Sequence, residues 1–335
     1  MTDLRVAVVG ATGAVGQEML RVLETRRFPV SDIVPLASER SRGRDVSFRG
    51  ARVPVRVLAE DSFDGIDLAL FSAGASTSRE FAPLAARAGA VVVDNSSAFR
   101  LEADIPLVVP EVNPHAIPER GIISNPNCST IIMVVAIQPI HALSPIERVV
   151  VSTYQAASGA GAKGMDALDR ELGGEGAPES RADGSPFPHR LAGNLIPRID
   201  VLQESGYTKE EMKMVFETRK IMGLGAIPIS ATCVRVPVAR THCEAIQVTT
   251  RDALPLDEIR KALAAAPGVS LRDDAGNDVY PTPLETTGKD DVFVGRLRRH
   301  PEDPRTYDLW VAGDQILKGA ALNAVQIAER VFCPG

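Results

Sequence analysis

The residues that decide the fold are L-R-V-A-V-V-G-A-T-G-A-V-G, from Leu4 to Gly16. The run from Leu4 to Val9 is apolar apart from Arg5, which is typical of a parallel strand buried on both faces. A strand, a glycine turn and a helix in this order place free backbone N–H groups where a pyrophosphate binds. We therefore predict a Rossmann-type dinucleotide site. A structural turn is the alternative, because the spacing G-x-x-G-x-x-G is not the common G-x-G-x-x-G. The predicted cofactor-binding residues of this turn are Gly10, Thr12, Gly13, Ala14, Val15 and Gly16.

A charged loop follows the second predicted strand, Ile33–Ala37, and reads S-E-R-S-R-G-R over residues 38–44. In a dinucleotide fold, a carboxylate at this place binds the free ribose 2′-OH of NAD, whereas an arginine accommodates the 2′-phosphate of NADP. Glu39 therefore favours NAD and Arg40 favours NADP. The arginines and serines of the loop favour the phosphate, so we predict NADP, with a solvated charged loop as the alternative. The predicted contacts are Ser38, Arg40 and Ser41.

Strand and helix patterns then alternate along the chain. Predicted strands at Ile66–Phe71 and Ala90–Val93 enclose a predicted helix at Ser76–Arg87. This alternation predicts a doubly wound parallel sheet. Ligands bind beyond the carboxyl ends of such strands, so Arg100 is a candidate ligand, with a surface cation as the alternative.

A single cysteine lies in the polar loop S-N-P-N-C-S-T, residues 124–130, just before a helix-like apolar segment. The free N–H groups at the start of a helix lower the pKa of a thiol and can hold a developing oxyanion. A lone cysteine is otherwise a small buried hydrophobe. Because the surrounding residues are typical of a rigid polar turn, we predict that Cys128 is a nucleophile.

Two further motifs accompany predicted elements in the second half of the chain. The strand Val149–Tyr154 leads into a second glycine turn, Q-A-A-S-G-A-G, at residues 155–161. A capping box at Thr208 starts a helix on which Glu217 and Lys220 share one face, either as ligands or as a salt bridge.

Alternating patterns at Ala231–Val236 and Ala245–Thr250 predict a hairpin-like pair of strands, and hence a mixed sheet in a second domain. Arg235 and His242 flank the turn between these strands and are expected to face one site. For His242, a structural histidine is the alternative.

Composition limits the function classes. The 335 residues are 44% hydrophobic with a net charge of −6 and have no basic run with interleaved aromatics, which disfavours a nucleic-acid partner. The four cysteines lack C-x-x-C spacing, so neither a metal site nor a disulfide framework is predicted. The longest apolar run, Ile131–Ile137, is too short to span a bilayer, so we expect a cytoplasmic protein without membrane contact. The Gly- and Pro-rich stretch 173–189 predicts a long mobile surface loop.

Six motifs, in order between residues 4 and 331, together resemble the aspartate-semialdehyde dehydrogenase family. They are G-A-T-G-A-V-G at 10–16, S-S-A-F-R at 96–100, S-N-P-N-C-S-T at 124–130, Q-A-A-S-G-A-G at 155–161, E-T-R-K-I at 217–221 and R-V-P-V-A-R-T-H at 235–242. The resemblance implies an NADP-dependent enzyme that reversibly interconverts L-4-aspartyl phosphate with L-aspartate 4-semialdehyde and phosphate. This reaction lies on the route to lysine (through diaminopimelate), threonine and methionine.

The resemblance also implies roles for individual residues. Cys128 would be the nucleophile that forms a thioester, and His242 the acid/base catalyst. The remaining assignments are Gln155, Glu217 and Arg235 for the substrate, Arg100, Asn127 and Lys220 for the phosphate, and Ser158, Gly159 and Gln315 for the cofactor. Gln315 departs from the family pattern, which usually has Asn there.

The length of 335 residues predicts two domains, and the resemblance further implies a homodimer. Residues 1–127 with 315–335 would form the NADP-binding domain, because the predicted last helix, Asp314–Arg330, is expected to return to the first sheet. Residues 128–314 would form an α+β mixed-sheet domain for catalysis and dimerisation.

Two other functions remain open. N-acetyl-γ-glutamyl-phosphate reductase shares the fold and the thioester chemistry, but its nucleophile motif typically reads N-P-G-C-Y, against which Asn127 and Ser129 argue. A non-enzymatic dinucleotide-binding paralogue should have lost Cys128 or His242, and this sequence has both.

Overall fold

The computed structural model describes residues 4–175 and 180–333. The strands are β1 (Leu4–Val9), β2 (Val30–Ala37), β3 (Asp45–Phe48), β4 (Ala51–Pro54), β5 (Arg56–Val57), β6 (Leu68–Phe71), β7 (Val91–Asp94), β8 (Ile122–Ser124), β9 (Ile146–Gln155), β10 (Ile229–Arg235), β11 (His242–Thr250), β12 (Val269–Leu271), β13 (Val292–Arg299) and β14 (Thr306–Gly313). The helices are α1 (Ala14–Thr25), α2 (Ala75–Arg87), α3 (Cys128–Leu143), α4 (Ala162–Leu172), α5 (Lys209–Met222), α6 (Leu256–Ala265), α7 (Pro283–Thr286) and α8 (Leu322–Phe332).

The described residues divide into two compact units. One comprises the residues up to Asn127 together with those from Ala320 onward, and the other comprises Cys128–Gly319. Between Gly313 and α8 the chain forms a π-helical segment, Leu317–Ala321, so the single long helix expected there is interrupted. Helix α8 packs on α1, where Arg26 pairs with Glu329 at 2.7 Å.

A six-stranded parallel sheet forms the first unit. Its strand order is β5-β2-β1-β6-β7-β8, and every neighbouring pair is parallel. The central strand β1 is buried along almost its whole length because helices cover both faces of such a sheet. The predicted Rossmann-type doubly wound sheet is confirmed.

The second unit contains a six-stranded mixed sheet with the order β10-β9-β11-β14-β13-β12. Strand β9 pairs in parallel with β10 and antiparallel with β11, and β14 is antiparallel to both of its neighbours. Helix α3 lies against this sheet, and its residues Ser129 to Ile137 are almost completely buried. The predicted α+β mixed-sheet architecture is confirmed.

The predicted hairpin between the strands around residues 231–236 and 245–250 is wrong. Strand β9 lies between β10 and β11, so these two are not neighbours. The connection between them passes over the end of β9, where Ala157 N donates to Val238 O and Ser158 N to Ala239 O. Alternation of side chains is the same for a hairpin and for a strand inserted between two others, which is why the sequence pattern did not separate them.

The described residues of the stretch 173–189 lie mostly at the surface, as its composition predicted, but several of its side chains are buried. Residues 176–179 lie outside the described residues, but Ala182, Phe187 and Leu191 are buried in a cluster with α4. The buried carboxylate of Glu171 accepts hydrogen bonds from the backbone N–H groups of residues 182, 191 and 192. Three apolar side chains and one carboxylate therefore hold residues 180–192 against the unit.

None of the helices in the described part of the chain is long and apolar enough to cross a membrane.

Candidate active site

The glycine turn after β1 is shaped by backbone contacts that exclude side chains. Gly10 has φ +85°, and a Cβ there would lie 2.6 Å from the carbonyl oxygen of Ser72. A Cβ at Gly16 would lie 2.2 Å from the carbonyl oxygen of Gly10. The turn therefore brings the start of α1 directly onto the end of β1, leaving the N–H groups of that start open to an anion.

A cavity of about 460 Å³ lies beside this turn in the first unit. Of the nine predicted cofactor residues in the first unit, Gly10, Thr12, Gly13, Ser38 and Arg40 line it. The other four do not line it: Ala14, Val15 and Gly16 are in the first turn of α1, and Ser41 is buried with its hydroxyl 3.1 Å from that of Thr12. The volume and the small-residue lining fit one half of a dinucleotide.

Glu39 and Arg40, the two residues that could contact the adenosine ribose, differ in their surroundings. Glu39 is paired with Arg42 at 2.6 Å, and both are exposed. The exposed Arg40 lines the cavity. An arginine facing the cavity suits a 2′-phosphate better than a carboxylate that is already paired.

Cys128 is the first residue of α3 and is half-buried. It therefore lies where the free N–H groups of the helix and the positive end of its dipole favour a thiolate. The backbone of Gly319 packs on this cysteine so closely that a Cβ there would lie 2.9 Å from Cys128 Cβ. Gly319 belongs to the π-helical segment, a distortion that is frequent at functional sites.

His242 is completely buried at the start of β11. Burial, and then the charge of Arg235, hold the pKa of His242 well below its usual value, so the ring is neutral. The backbone N–H of Ala156 donates to Nδ1 at 3.0 Å. The neutral ring therefore carries its proton on Nε2.

Gln155 ends β9 and lies beside His242. Its Nε2 is 3.4 Å from His242 Nε2 and donates to Glu210 Oε1 at 3.2 Å, while its Oε1 accepts from Thr153 Oγ1 at 3.0 Å. One N–H of the amide group thus points toward Glu210, and the second is available on the side of the histidine.

Arg235 ends β10 next to Gln155, its register partner on β9. Its Nη1 donates to the carbonyl oxygen of Ala156 at 2.6 Å, and its guanidinium lies 5.8 Å from the ring centre of Phe187. Burial lowers the pKa of Arg235 overall, and the charges of Glu210 and of a Cys128 thiolate only partly offset that effect. A buried guanidinium of this kind is suited to a carboxylate ligand.

The second glycine turn closes around these groups. A Cβ at Gly159 would lie 2.6 Å from Arg235 Nη1 and 3.2 Å from the ring of His242. The side chain of Gln315 joins this turn to the histidine strand, since Nε2 donates to Ser158 Oγ and Oε1 accepts from Thr241 N at 2.8 Å. The carbonyl end of Gln315 and one of its N–H groups are therefore engaged within the protein.

The remaining predicted ligands lie in different places. Glu217 is buried and Lys220 half-buried, three residues apart on α5 in the second unit. In the first unit, Arg100 is buried and its Nη2 donates to Asn95 O at 2.9 Å, and Asn127 is buried at the end of that unit.

The sequence carries no signal for Glu210. Glu210 precedes the capping-box residue Glu211 and looks like an exposed first-turn carboxylate, yet it is buried against Gln155. For Gly319, the run of small residues 319–321 predicts a close approach of another backbone or of a cofactor, and the structure shows that Cys128 makes this approach. Within residues 4–175 and 180–333, no group of three or more His, Cys, Asp and Glu side chains is placed to hold a metal ion.

Comparison with known proteins identifies the class. The family model described as "Semialdehyde dehydrogenase, NAD binding domain" matches residues 5–120, and the model described as "Semialdehyde dehydrogenase, dimerisation domain" matches residues 137–318. The fold and the nicotinamide-binding unit are thus those of the semialdehyde dehydrogenases, a class of enzymes.

Comparison with individual relatives shows to which family within this class the chain belongs. Aspartate-semialdehyde dehydrogenase of Aquifex aeolicus is 52% identical, over 99% of this chain and 98% of the relative. The Bacillus subtilis enzyme of the same name is 47% identical, over 97% and 96%. The crystal structure of aspartate semialdehyde dehydrogenase II from Vibrio cholerae complexed with ASA has a TM-score of 0.93 at 46% identity and covers 98% of both chains. This chain belongs to the aspartate-semialdehyde dehydrogenase family.

Proposed function

We propose that this chain catalyses the reversible conversion of L-aspartate 4-semialdehyde, phosphate and NADP to L-4-aspartyl phosphate and NADPH. The proposal rests mainly on one observation: Gln155, Arg235 and the neutral His242 lie together beside the glycine turn at Gly159. This cluster belongs to the same unit as Cys128, which is the first residue of that unit. The names and full-length similarity of the relatives support the same reaction.

The chemistry begins at Cys128. Its sulfur attacks the aldehyde carbon and forms a C–S bond, which gives a hemithioacetal. NADP, which Gly10, Gly13 and Arg40 would hold in the cavity of the first unit, would supply the hydride acceptor that this carbon needs to reach the oxidation level of a thioester. A phosphate oxygen then attacks the thioester carbon, the C–S bond breaks, and the thiolate leaves with its electron pair.

His242 is proposed to donate a hydrogen bond to the substrate oxygen. With Nδ1 accepting from Ala156, the neutral ring presents Nε2–H as a donor to that oxygen, which stabilises its developing negative charge. A thiolate that attacks the aldehyde leaves this oxygen as an alkoxide, so loss of hydride from the carbon gives the thioester without a further proton transfer. The acid/base role of His242 stays a prediction.

Charged side chains would hold the substrate. Arg235 is proposed to bind its carboxylate and Glu217 its ammonium group, since each needs an opposite charge. The phosphate roles of Arg100, Asn127 and Lys220, and the cofactor roles of Ser158, Gly159 and Gln315, stay predictions. For Gln315, its engagement with Ser158 and Thr241 leaves one N–H for a nicotinamide carboxamide.

The reaction is tested by following NADPH formation from the semialdehyde with and without phosphate, in the parent, in Cys128→Ala and in Cys333→Ala. We expect turnover that requires phosphate, is lost in Cys128→Ala and is kept in Cys333→Ala, whose thiol lies just beyond α8. Phosphate-independent turnover, or turnover by Cys128→Ala, would contradict the proposal.

NADP is proposed over NAD on the placement of Arg40 at the cavity and the pairing of Glu39 with Arg42. We expect Arg40→Ala to raise the KM for NADP by about tenfold, the equivalent of one charge-assisted hydrogen bond, and to leave the KM for NAD nearly unchanged. Glu39→Gln is the matched control and should change neither value. An equal loss for both cofactors would show that Arg40 does not bind the 2′-phosphate.

A homodimer built through the mixed sheet is also proposed. The sheet face opposite to His242 carries half-buried side chains that lie directly beside one another, including Ala245 and Trp310. Tyr154 and Trp310 meet on this face with ring centres 5.3 Å apart. A central sheet face with aromatic side chains that the described residues leave partly exposed fits a second copy of the chain. The match of residues 137–318 to a dimerisation-domain model supports the same partner.

A further inference from the structure

Glu210 is a buried carboxylate in the first turn of α5. One of its oxygens pairs with a lysine, and the other contacts Gln155, a residue predicted to bind the substrate. Its Oε2 pairs with Lys213 Nζ at 2.9 Å, and that Nζ pairs with Asp200 Oδ2 at 2.7 Å. Its Oε1 accepts from Gln155 Nε2 at 3.2 Å. A continuous row of polar contacts therefore runs from Asp200 to Gln155.

The charge of Glu210 determines which way the amide of Gln155 faces. An ionised carboxylate only accepts hydrogen bonds, so it selects the amide nitrogen and not the amide oxygen. Thr153 supports the same orientation, because its hydroxyl donates to Gln155 Oε1 at 3.0 Å. The second N–H of Gln155 is thereby directed to the side of His242, whose Nε2 lies 3.4 Å away.

Lys213 pairs with the carboxylate of Glu210 and holds it in place. Although burial lowers the pKa of Lys213, the two carboxylates beside it raise that pKa overall, so the ammonium group stays charged.

We propose that Glu210, fixed by Lys213 and Asp200, is a positioning residue that orients the amide of Gln155 so that it donates a hydrogen bond to the substrate beside His242. The inference rests on the proposed function, because the substrate that receives this bond is the one proposed above. It adds a residue that the family motifs of the sequence do not include.

The neighbouring carboxylate offers a matched control. Glu211 is equally buried, but its oxygens accept from the backbone N–H groups of Thr208 at 2.7 Å and Cys233 at 3.0 Å. Glu211 therefore caps α5 and connects that helix to β10, so its role is to stabilise the fold. Replacing it should lower thermal stability with little effect on the orientation of Gln155.

The test is a double-mutant cycle in the full-length chain with Glu210→Gln, Gln155→Ala and the double variant, measured with semialdehyde, phosphate and NADP. We expect Glu210→Gln to lower kcat/KM for the semialdehyde by about tenfold, mostly through kcat, with the KM for NADP unchanged. In the Gln155→Ala background, Glu210→Gln should cost less than about twofold, because the group that it orients is gone. Glu211→Gln should lower Tm and leave kcat/KM near the parent value.

Each outcome decides one question. Additive losses in the double variant, or parent-like kcat/KM in Glu210→Gln, would overturn the positioning role while parent turnover keeps the proposed function. An effect of Glu211→Gln as large as that of Glu210→Gln would reduce the role of Glu210 to framework stability and overturn the inference. No turnover by the parent chain would overturn the proposed function and the inference together.

Discussion

Glu244 lies on β11 two residues after His242 and on the same face of the sheet. It is completely buried, and neither of its carboxyl oxygens has a hydrogen-bond partner among the described residues. Burial raises its pKa well above the usual value, so the folded protein holds this group as a neutral acid. The cost of burying it grows with pH, because the unfolded chain can release the proton and the folded chain cannot.

We expect Glu244→Gln to stabilise the protein in alkaline solution. Since the pKa is raised in the folded state, the parent loses stability as pH increases above the unfolded value of about 4.3 and toward the folded value. The neutral amide does not titrate, so Tm should rise by several degrees relative to the parent at about pH 8 and differ little at about pH 5. Glu258→Gln, at an exposed carboxylate on α6, is the control for calorimetry at both pH values. A Tm difference that is the same at both would show that Glu244 does not titrate differently on folding.

A methyl group at Gly319 should displace the nucleophile. The Cβ of Gly319→Ala would lie 2.9 Å from Cys128 Cβ, closer than carbon atoms pack, so the cysteine or the π-helical segment must shift. We expect kcat to fall by about tenfold or more, since misplacement of a reacting group by an ångström costs rate steeply. Gly276→Ala is the control, because its nearest atom would be 3.7 Å from the added carbon. Parent-like kcat in Gly319→Ala would show that the segment moves without disturbing Cys128.

At the scale of elements, the carboxylate of Glu171 on α4 supplements the apolar contacts that hold the segment 180–192 against that helix. Glu171 accepts backbone N–H groups from both ends of that segment at 2.8 to 3.1 Å. Burial raises the pKa of Glu171, but the three backbone hydrogen bonds and Arg190 outweigh it, so the pKa is lowered overall. The stabilisation is therefore present above the unfolded pKa and is lost as pH falls through the folded one.

We expect Glu171→Ala to release this segment without unfolding the sheet. The amides of Ala182, Leu191 and Ala192 should exchange with deuterium at least about tenfold faster, as expected when charge-assisted hydrogen bonds of roughly 1.5 kcal/mol are removed. In the parent, acidification should have the same effect on these amides. Glu175→Gln, an exposed partner of Arg170, is the control. Unchanged exchange in Glu171→Ala would mean that the apolar cluster alone holds the segment.

At the scale of the whole molecule, the half-buried sheet face determines the proposed oligomer. We expect Ala245→Arg, which puts a charge at the centre of that face, to give a monomer by light scattering at a concentration where the parent is a dimer. Leu284→Arg is the control, because Leu284 is 94% exposed in α7. A parent chain that is already monomeric at this concentration would contradict the homodimer.

The sequence by itself determined the class of fold and the family. The apolar run before Gly10 and the alternation after it follow from the burial of parallel strands and were enough to predict the first sheet, and the capping box at Thr208 located the start of α5. The six motifs identified the family, and the relatives confirm it. The roles of the predicted site residues and the domain assignment stay predictions, as do the cytoplasmic location and the absence of a nucleic-acid partner.

Only the tertiary structure decided how the elements of the second unit meet. The insertion of β9 between β10 and β11 aligns Gln155 with Arg235, and no local pattern contains that order because strand neighbours are chosen by packing over long sequence separations. The same is true of the partners of Glu210 and Gly319, which lie far along the chain. Residue type and spacing are enough to predict local chemistry, whereas the environment of a side chain exists only after the chain has folded.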